Sequence, residues 1–266
     1  MKTIAAIQMC SSECVDDNLA QIDYLLGQAS QSGTLLAVLP EMFPCIAQPS
    51  HPILTYKESP GQGKIQDYLS HLAQKYRLWI VAGTIPLEGK NPNKIRAACI
   101  IFDDQGKQVA RYDKIHLFDA ILSEKEKYLE SLTTEPGEQI TVIPTPVGKL
   151  GVAVCFDLRF PELFGAMSRL GAEIIAIPAA FTVPTGQAHW EVLMRCRALD
   201  SLAYVIGAGQ GGTHSNGRKT YGHSMIVNPW GEILAEVKET GPGIAYAKID
   251  LEQLYTIRKK LPVIVY

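Results

Sequence analysis

The sequence predicts an α/β protein in which mixed β-sheets are covered by helices. Apolar runs typical of buried strands, such as "LLAVLP", alternate with segments whose apolar residues recur at helical spacing. This alternation restarts after Pro146, and turn residues at 104–106 and 228–231 indicate two hairpins. Repeated strand–helix units combined with hairpins imply mixed sheets flanked by helices.

The first half of the chain contains two helix patterns set between strand patterns. The first helix begins at Asp and Asn capping candidates, carries Leu19, Ile22, Leu25 and Leu26 on one face, and ends at Gly33. The predicted strands are "TIAAIQM", "LLAVLP", "LWIVAGTIPL" and the hairpin "KIRAACIIFDDQGKQVARYDK", and the second helix is "GKIQDYLSHLAQKYR".

The second half repeats the pattern without an interior linker or an internal repeat. Its predicted strands are "KLGVAVCF", "EIIAIPAA" and "YVIGAGQ", its helices are "RFPELFGAMSRLGA" and "AHWEVLMRCRALDSLA", and "YGHSMIVNPWGEILAEV" is a hairpin. We therefore predict one domain over residues 1–266. The stretch 119–140 is the longest polar connection, and long loops in compact domains are often functional.

Composition limits the classes of function. The chain has 266 residues, 47% of them apolar and 20% charged, which is an ordinary globular balance. The net charge of −2 argues against a nucleic-acid partner or an anionic membrane surface. The first residues read as a strand rather than a secretion signal, and no segment approaches the roughly 18 apolar residues of a membrane span.

The six cysteines contain no CxxC pair. Without a secretion signal, they predict reduced thiols in a cytoplasmic protein. Cys10 and Cys14 lack the paired partners of a zinc site, so we expect no metal. We also expect no cofactor.

Three ionisable residues occupy similar positions in the strand pattern. Glu41 follows "LLAVLP", Lys114 follows "GKQVARYD", and Cys155 ends "KLGVAV". Strand ends and the loops after them form the sites of sheet-based folds, so these residues are candidates for one site. A thiolate attacks an amide or nitrile carbon, a carboxylate takes the thiol proton, and an ammonium offsets the negative charge of the tetrahedral intermediate. The backbone N–H of Phe156 is a candidate for the oxyanion hole.

Residue type alone leaves other interpretations open. Free cysteine is among the most buried residue types, so residue type alone favours an inert core thiol at Cys155. Glu41 is also a candidate cap for the segment after it, and Lys114 a candidate surface lysine on a strand edge. Because the three residues are far apart in the sequence, spacing does not decide between these interpretations.

Three motifs in order give a stronger indication. "LPEMF" at 39–43, "RYDKIHLFD" at 111–119 and "GVAVCFDLRFPEL" at 151–163 resemble the three signatures of the nitrilase (carbon–nitrogen hydrolase) superfamily. The resemblance continues through "GAEIIAIPAAF", "TGQAHWEVLMRCRALD" and "YGHSMIVNPWGEI", and so covers almost the whole chain. It implies a four-layer α-β-β-α sandwich that assembles into a homodimer or a higher homo-oligomer.

The resemblance also implies a Glu-Lys-Cys catalytic triad. Carried onto this chain, Glu41 is the general base, Lys114 stabilises the tetrahedral intermediate and Cys155 is the nucleophile. A second glutamate of the family matches Glu130 in "YLES", where it positions substrate or assists proton transfer. A solvated loop charge is the alternative for Glu130.

Four further side chains are candidates for substrate binding. Arg159, four residues after the nucleophile, suits bidentate pairing with a substrate carboxylate, or else pairs with Asp157 or Glu162 to brace the turn. Phe181 and Thr182 follow the next strand, and His189 begins the helix beyond. Trp190 fits either the core or the pocket wall. Arg195 and Arg197 are expected to form structural pairs or subunit contacts.

Within the superfamily, the ordered features resemble the deaminated glutathione amidase branch. The expected substrate is then a small amide that bears a carboxylate, cleaved to 2-oxoglutarate and cysteinylglycine. The related ω-amidases, which hydrolyse α-ketoglutaramate, share "TG-x-AHWE-L" and remain the alternative. Phe156 counts against true nitrilases, which usually carry a tryptophan beside the nucleophile.

Two hypotheses from other classes stay open at the level of sequence. One is a Cys-His hydrolase that pairs Cys155 with His116, His189, His214 or His223, since such pairing lowers the pKa of a thiol. In that hypothesis, His116 lies on the strand face of Lys114. The other is a catalytically silent scaffold or binding protein, although such proteins are expected to lose a triad residue.

Overall fold

The computed structural model describes residues 1–47, 52–121, 124 and 127–262. Within these ranges, the first sheet has the strand order β17-β1-β2-β3-β4-β5, with β8 beside β4. β1, β2 and β3 are parallel neighbours, whereas β17, β4 and β5 join antiparallel. The strands are β1 (Lys2–Gln8), β2 (Thr34–Val38), β3 (Trp79–Glu88), β4 (Ile95–Phe102), β5 (Gln108–Asp113), β8 (Thr134–Glu135) and β17 (Gly243–Ile249).

The second sheet has the order β16-β15-β12-β11-β10-β9. Its centre is again parallel, since β10, β11 and β12 run in one direction, and its edges are antiparallel. The strands are β9 (Val142–Thr145), β10 (Gly148–Val152), β11 (Ile174–Ala179), β12 (Tyr204–Gly209), β15 (Met225–Val227) and β16 (Ile233–Glu236). Two short hairpins lie outside the sheets: β6 (Asp119–Ile121) with β7 (Lys127–Leu129), and β13 (Gly211–Thr213) with β14 (Lys219–Tyr221).

Side-chain alternation along β1 explains the layering. Ile4 and Ala6 pack in the core between the two sheets, whereas Ala5 and Ile7 pack against helices on the outer face. A strand covered on both faces must be apolar at every position, as the sequence pattern predicted. The helices are α1 (Val15–Gln31), α2 (Lys64–Tyr76), α3 (Pro161–Arg169), α4 (Val183–Thr185), α5 (Glu191–Ser201) and α6 (Leu251–Lys260).

The helices cover the outer faces of the two sheets and complete the four layers. Leu19, Ile22 and Leu26 of α1 pack with Leu69 of α2 in the core on the outside of the first sheet. α3 and α5 contribute their apolar faces to the core of the second sheet. The predicted α/β class with mixed sheets, and the four-layer α-β-β-α sandwich, are confirmed. No helix in the described part of the chain is long and apolar enough to cross a membrane.

Two sequence predictions need correction in detail. β10 ends at Val152, so Cys155 does not end the strand but begins a 3₁₀ turn over Cys155–Arg159. The stretch 119–140 is not one open loop, since it contains β6, β7, a 3₁₀ turn over Glu130–Leu132 and β8. Positions 122, 123, 125 and 126 of that stretch, and the last four residues of the predicted domain, lie outside the described residues.

Candidate active site

A cavity of about 310 Å³ opens where turns from both sheets meet, and its volume lies in the range of small-molecule sites. Glu41, Lys114, Glu130 and Cys155 all line it. The structure therefore brings together side chains that the sequence places far apart. The wall also contains aromatic and hydroxyl side chains, namely Phe118, Tyr128, Phe156, Phe181, Thr84, Thr182 and Thr185.

Glu41 lies in the turn after β2. Met42 takes a left-handed backbone conformation with φ 57°, and its N–H donates to Oγ1 of Thr84 at 2.9 Å. The Glu41 carbonyl accepts a hydrogen bond from Nε2 of Gln210 at 3.1 Å. These contacts fix the backbone of the turn from which the buried Glu41 lines the cavity.

Lys114 directly follows β5. Its N–H donates to the carbonyl of Ala97 at 3.0 Å, and its own carbonyl accepts from Gly137 at 2.8 Å. The residue is only 2% exposed. A buried ammonium is costly unless it is paired, and this one is paired twice. Nζ donates to Oε1 of Glu41 at 2.7 Å and to Oε2 of Glu130 at 2.8 Å.

Glu130 is held in place by a second donor. The N–H of Phe118 donates to its Oε2 at 2.6 Å, and the side chain is 21% exposed, against 6% for Glu41. The solvated-charge interpretation is therefore wrong for Glu130. Its side chain is partly buried and forms an ion pair with the buried Lys114. Its place beside Lys114 agrees with the prediction that it belongs to the site.

Cys155 occupies a strained turn at the cavity wall. Its φ is 48°, a left-handed conformation that costs a non-glycine residue about 1–3 kcal/mol and persists only where the surroundings enforce it. The residue is 7% exposed. Cys155 is thus largely buried and still lines the cavity. The core-thiol and pocket interpretations are therefore compatible.

Asp157 enforces the conformation of the Cys155 turn. Its fully buried carboxylate accepts from the hydroxyl of Tyr112 at 2.7 Å and from the N–H of Val154 at 2.8 Å. It also accepts from the N–H of His116 at 2.9 Å, and its Oδ1 lies 2.7 Å from Nδ1 of that ring. The network joins β5 and the residues after it to the turn that Cys155 begins, and sequence reasoning did not predict it.

Burial and charge together set the protonation of the site. Burial raises the pKa of the Cys155 thiol well above its usual range, the Glu41 carboxylate raises it further, and the Lys114 ammonium opposes both. Burial alone would lower the pKa of Lys114, but the carboxylates of Glu130 and Glu41 outweigh it and hold that pKa well above its usual range. The resting site thus contains a neutral thiol beside a charged ammonium.

The histidines that the sequence offered as partners for Cys155 contact other groups. His116 stacks on Phe160 with ring centroids 3.6 Å apart and pairs with Asp157, and His223 pairs with Glu236. His214 contacts the Ser11 carbonyl and the Thr220 hydroxyl. His116 also lies beyond the end of β5, so it does not share a strand face with Lys114. In the described part of the chain, no hydrogen bond joins a histidine to Cys155.

Comparison of the whole chain with known protein families identifies the family to which it belongs. The carbon-nitrogen hydrolase family model matches residues 3–259. The chain belongs to the carbon-nitrogen hydrolase family. It is 41% identical over 266 residues to a deaminated glutathione amidase of Yersinia enterocolitica, covering 98% of this chain and 91% of the relative.

Solved structures agree with the fold of this carbon-nitrogen hydrolase. A Saccharomyces cerevisiae member of branch 10 of the nitrilase superfamily superposes with a TM-score of 0.87 at 34% identity, covering 98% of this chain and 94% of that one. The NitFhit protein of C. elegans gives a TM-score of 0.89 at 32% identity. The match covers 98% of this chain but only 64% of the worm protein. The protein is a nitrilase-superfamily amidase.

The predicted substrate-binding residues of this amidase divide into two groups. Phe156, Arg159, Phe181 and Thr182 line the cavity, whereas His189 is exposed and is not among its lining residues, and its Nδ1 lies 3.2 Å from Nη2 of Arg159. The Arg159 guanidinium lies over the rings of Phe156 and Phe181. It forms no ion pair with Asp157 or Glu162, both of which are described, so the bracing interpretation is wrong.

The other aromatic and basic candidates are structural. Trp190 is buried in the core, where its Nε1 donates to the His223 carbonyl at 2.7 Å. Arg195 pairs with Glu191, and Arg197 pairs with Asp200 and donates to the Leu158 carbonyl. The expectation of structural pairs is thus confirmed for both arginines.

Arg218 is a charged residue of the cavity wall that sequence reasoning missed. It follows a Ser-Asn-Gly turn, a context typical of a solvated loop, and yet it lines the cavity. Tyr128, two residues before Glu130, was also passed over and lies beneath its guanidinium.

Proposed function

We propose that this amidase hydrolyses deaminated glutathione through a Cys155 thioester. The observation that carries the proposal is the Lys114 ammonium held between the Glu41 and Glu130 carboxylates in the cavity that Cys155 lines. A neutral thiol, a carboxylate next to it and a fixed cation are the groups that cysteine-dependent amide hydrolysis requires.

The first step is attack on the amide. Because burial keeps the Cys155 thiol protonated, a base must take its proton as the sulfur–carbon bond forms, and Glu41 is the adjacent carboxylate. The carbonyl oxygen gains negative charge, which the Lys114 ammonium and the backbone N–H of Phe156 stabilise. The proton on Glu41 then passes to the leaving nitrogen as the carbon–nitrogen bond breaks, leaving a thioester.

The second step is hydrolysis of the thioester. Glu41 takes a proton from water, whose oxygen attacks the thioester carbon, and the sulfur of Cys155 leaves and regains the proton. Glu130 keeps Lys114 compensated whenever Glu41 is protonated, so the ammonium stays charged throughout the cycle. The products are 2-oxoglutarate and cysteinylglycine.

The charge of the cavity supports an acidic substrate. Arg159 is partly buried in the cavity wall and has no carboxylate partner among the described residues. Its position on the Cys155 turn suits the α-keto acid carboxylate, which lies a short carbon chain from the scissile carbonyl. The deaminated glutathione amidase of Yersinia enterocolitica, 41% identical, supports the same substrate.

A side-by-side assay of purified protein tests the substrate. We expect kcat/KM to be highest for deaminated glutathione, lower for α-ketoglutaramate and lowest for a simple nitrile, with no turnover by Cys155→Ala. A higher value for α-ketoglutaramate would overturn the proposal in favour of an ω-amidase. Absence of turnover on every amide would support a silent scaffold.

Paired variants test the triad. Lys114→Ala should lower kcat/KM by about 100-fold or more, since it removes a fixed charge that faces the oxyanion. His116→Ala removes the contacts to Asp157 and Phe160 but no group of the proposed triad, so it should cost less. Full turnover in Lys114→Ala together with its loss in a histidine variant would contradict the Glu-Lys-Cys mechanism and favour a Cys-His pair.

A further inference from the structure

Arg218 lines the cavity, and its guanidinium pairs with no carboxylate among the described residues. Its Nη2 donates to the Ala180 carbonyl at 3.1 Å, its Nη1 lies 3.6 Å from Sδ of Met42, and its guanidinium carbon lies 5.4 Å from the Tyr128 ring centroid. Its Nε is buried and has no hydrogen-bond partner among the described residues. A carbonyl, a thioether and a ring do not neutralise its positive charge, and no carboxylate in the described part of the chain does so.

The charges around the cavity show what kind of ligand would balance it. The cavity acids, Glu41 and Glu130, are both engaged by Lys114. Arg159 and Arg218 form no ion pair with any described carboxylate. A planar guanidinium forms two parallel hydrogen bonds to a carboxylate. A guanidinium that stays unpaired in a partly buried wall costs free energy. Two unpaired guanidiniums therefore fit a ligand with two carboxylates.

We propose that Arg218 binds the carboxylate on the leaving-group side of the substrate. This inference rests on the proposed function and deepens it, because it assigns the second charged end of deaminated glutathione. Arg218 is then a specificity residue that distinguishes a peptide-like leaving group from ammonia.

The placement of the two arginines in the chain supports the assignment. Arg159 belongs to the 3₁₀ turn that Cys155 begins, so it lines the cavity from the same turn as the reacting sulfur. Arg218 enters from the β13–β14 hairpin and is held by Ala180 and by Tyr128 of β7. The acyl-side carboxylate is close to the scissile carbonyl, whereas the glycine carboxylate ends the longer cysteinylglycine arm.

A carboxylate-capping experiment tests Arg218. Deaminated glutathione, its C-terminal glycinamide and α-ketoglutaramate are assayed with wild type, Arg218→Met and Lys219→Met. Lys219 is the matched control, since it is an exposed cation on the same hairpin. In wild type and Lys219→Met, capping the glycine carboxylate should lower kcat/KM about 10- to 100-fold, as expected for a charge-assisted hydrogen-bonded pair.

In Arg218→Met, the kcat/KM values for deaminated glutathione and its glycinamide should become nearly equal, so that their ratio approaches one. The ratio of kcat/KM for deaminated glutathione to that for α-ketoglutaramate should fall by the same factor. Equal losses on all three substrates would indicate a structural role, and an undiminished capping effect would exclude contact with the carboxylate. Either outcome overturns the inference.

A binding measurement separates this inference from the proposed function. Calorimetry on Cys155→Ala compares the affinities for deaminated glutathione and its glycinamide, with and without Arg218→Met. If wild type hydrolyses only other amides, while Cys155→Ala still distinguishes the two ligands through Arg218, the proposed function fails and the carboxylate site stands. If Cys155→Ala distinguishes them equally well without Arg218, the carboxylate site fails.

Discussion

Nζ of Lys114 lies 2.7 Å from Oε1 of Glu41, and both side chains are almost completely buried. Glu130 supplies a second carboxylate to the same ammonium, so the lysine is compensated even when Glu41 carries a proton. This arrangement is compatible with the proposed mechanism, in which Glu41 alternates between base and acid. It also places a negative charge beside the Cys155 thiol, which opposes formation of a thiolate in the resting enzyme.

The pH dependence of Cys155 alkylation should report that negative charge. Burial first, and the Glu41 carboxylate next, raise the pKa of the thiol, so its labelling by iodoacetamide should keep increasing well into the alkaline range. Removing the charge in Glu41→Gln lowers the thiol pKa and should move the labelling curve to lower pH. Amide turnover should nevertheless fall by about 100-fold or more, because the substitution removes the proposed general base.

Mass spectrometry of digested protein measures that labelling at each pH. Exposed Cys14 in the same sample serves as the internal control. An unchanged curve in Glu41→Gln, or one displaced to higher pH, would mean that Glu41 does not face the thiol as a carboxylate.

Gly83→Ala should destabilise the protein and disable the Glu41 turn. A Cβ at Gly83 would lie 1.8 Å from the carbonyl oxygen of Pro40, the residue before Glu41, so the backbone itself must move. We expect the free energy of unfolding to fall by about 2–4 kcal/mol, in the range of severe steric substitutions. Chemical denaturation and kcat together measure the two effects.

Gly165→Ala in α3 is the matched control for that substitution. The Cβ there meets only Nη1 of Arg169, at an ordinary 3.5 Å, and alanine favours a helix interior over glycine by about 0.5–1 kcal/mol. Its stability should equal or exceed that of wild type. Wild-type stability in Gly83→Ala would refute the close approach of β3 to the Glu41 turn.

His214 should make the stability depend on pH below neutrality. Burial lowers the pKa of this imidazole, Arg218 lowers it further, and the hydrogen bond to the Ser11 carbonyl opposes them. On unfolding, the ring regains its ordinary pKa of about 6.5. Just below that pH it binds a proton in the unfolded state but stays neutral in the folded state. The contribution is therefore present above that pH and is lost as the pH falls below it and through the lowered pKa of the folded state.

Denaturation between pH 7.5 and about 5 tests this dependence, since that interval spans the ordinary histidine pKa. His214→Gln should show a flatter decline of stability toward acid than wild type. His71→Gln, at an exposed position of α2, should keep the wild-type slope. Equal slopes in all three proteins would assign the acid sensitivity to other groups.

Local patterns in the sequence were enough to predict the layers of the fold. The helical spacing of Leu19, Ile22 and Leu26 predicted the face that α1 buries, and the continuous apolar runs predicted strands covered on both sides. Ordered motifs around Glu41, Lys114 and Cys155 then indicated the family to which the chain belongs. The layers depend on patterns among residues that are neighbours along the chain, and the family is indicated by motifs in their order along it.

Only the tertiary structure decided which side chains meet in the cavity. Lys114 reaches Glu41 across 73 positions of sequence, and Tyr112 reaches Asp157 across 45, and no periodicity encodes such contacts. Arg218 resembles a surface residue in the sequence because its neighbours are turn formers, whereas packing of its hairpin against Ala180 and Tyr128 turns it to the cavity. The sequence determined the chemical groups, and long-range packing determined which of them share a site and which charges remain unpaired there.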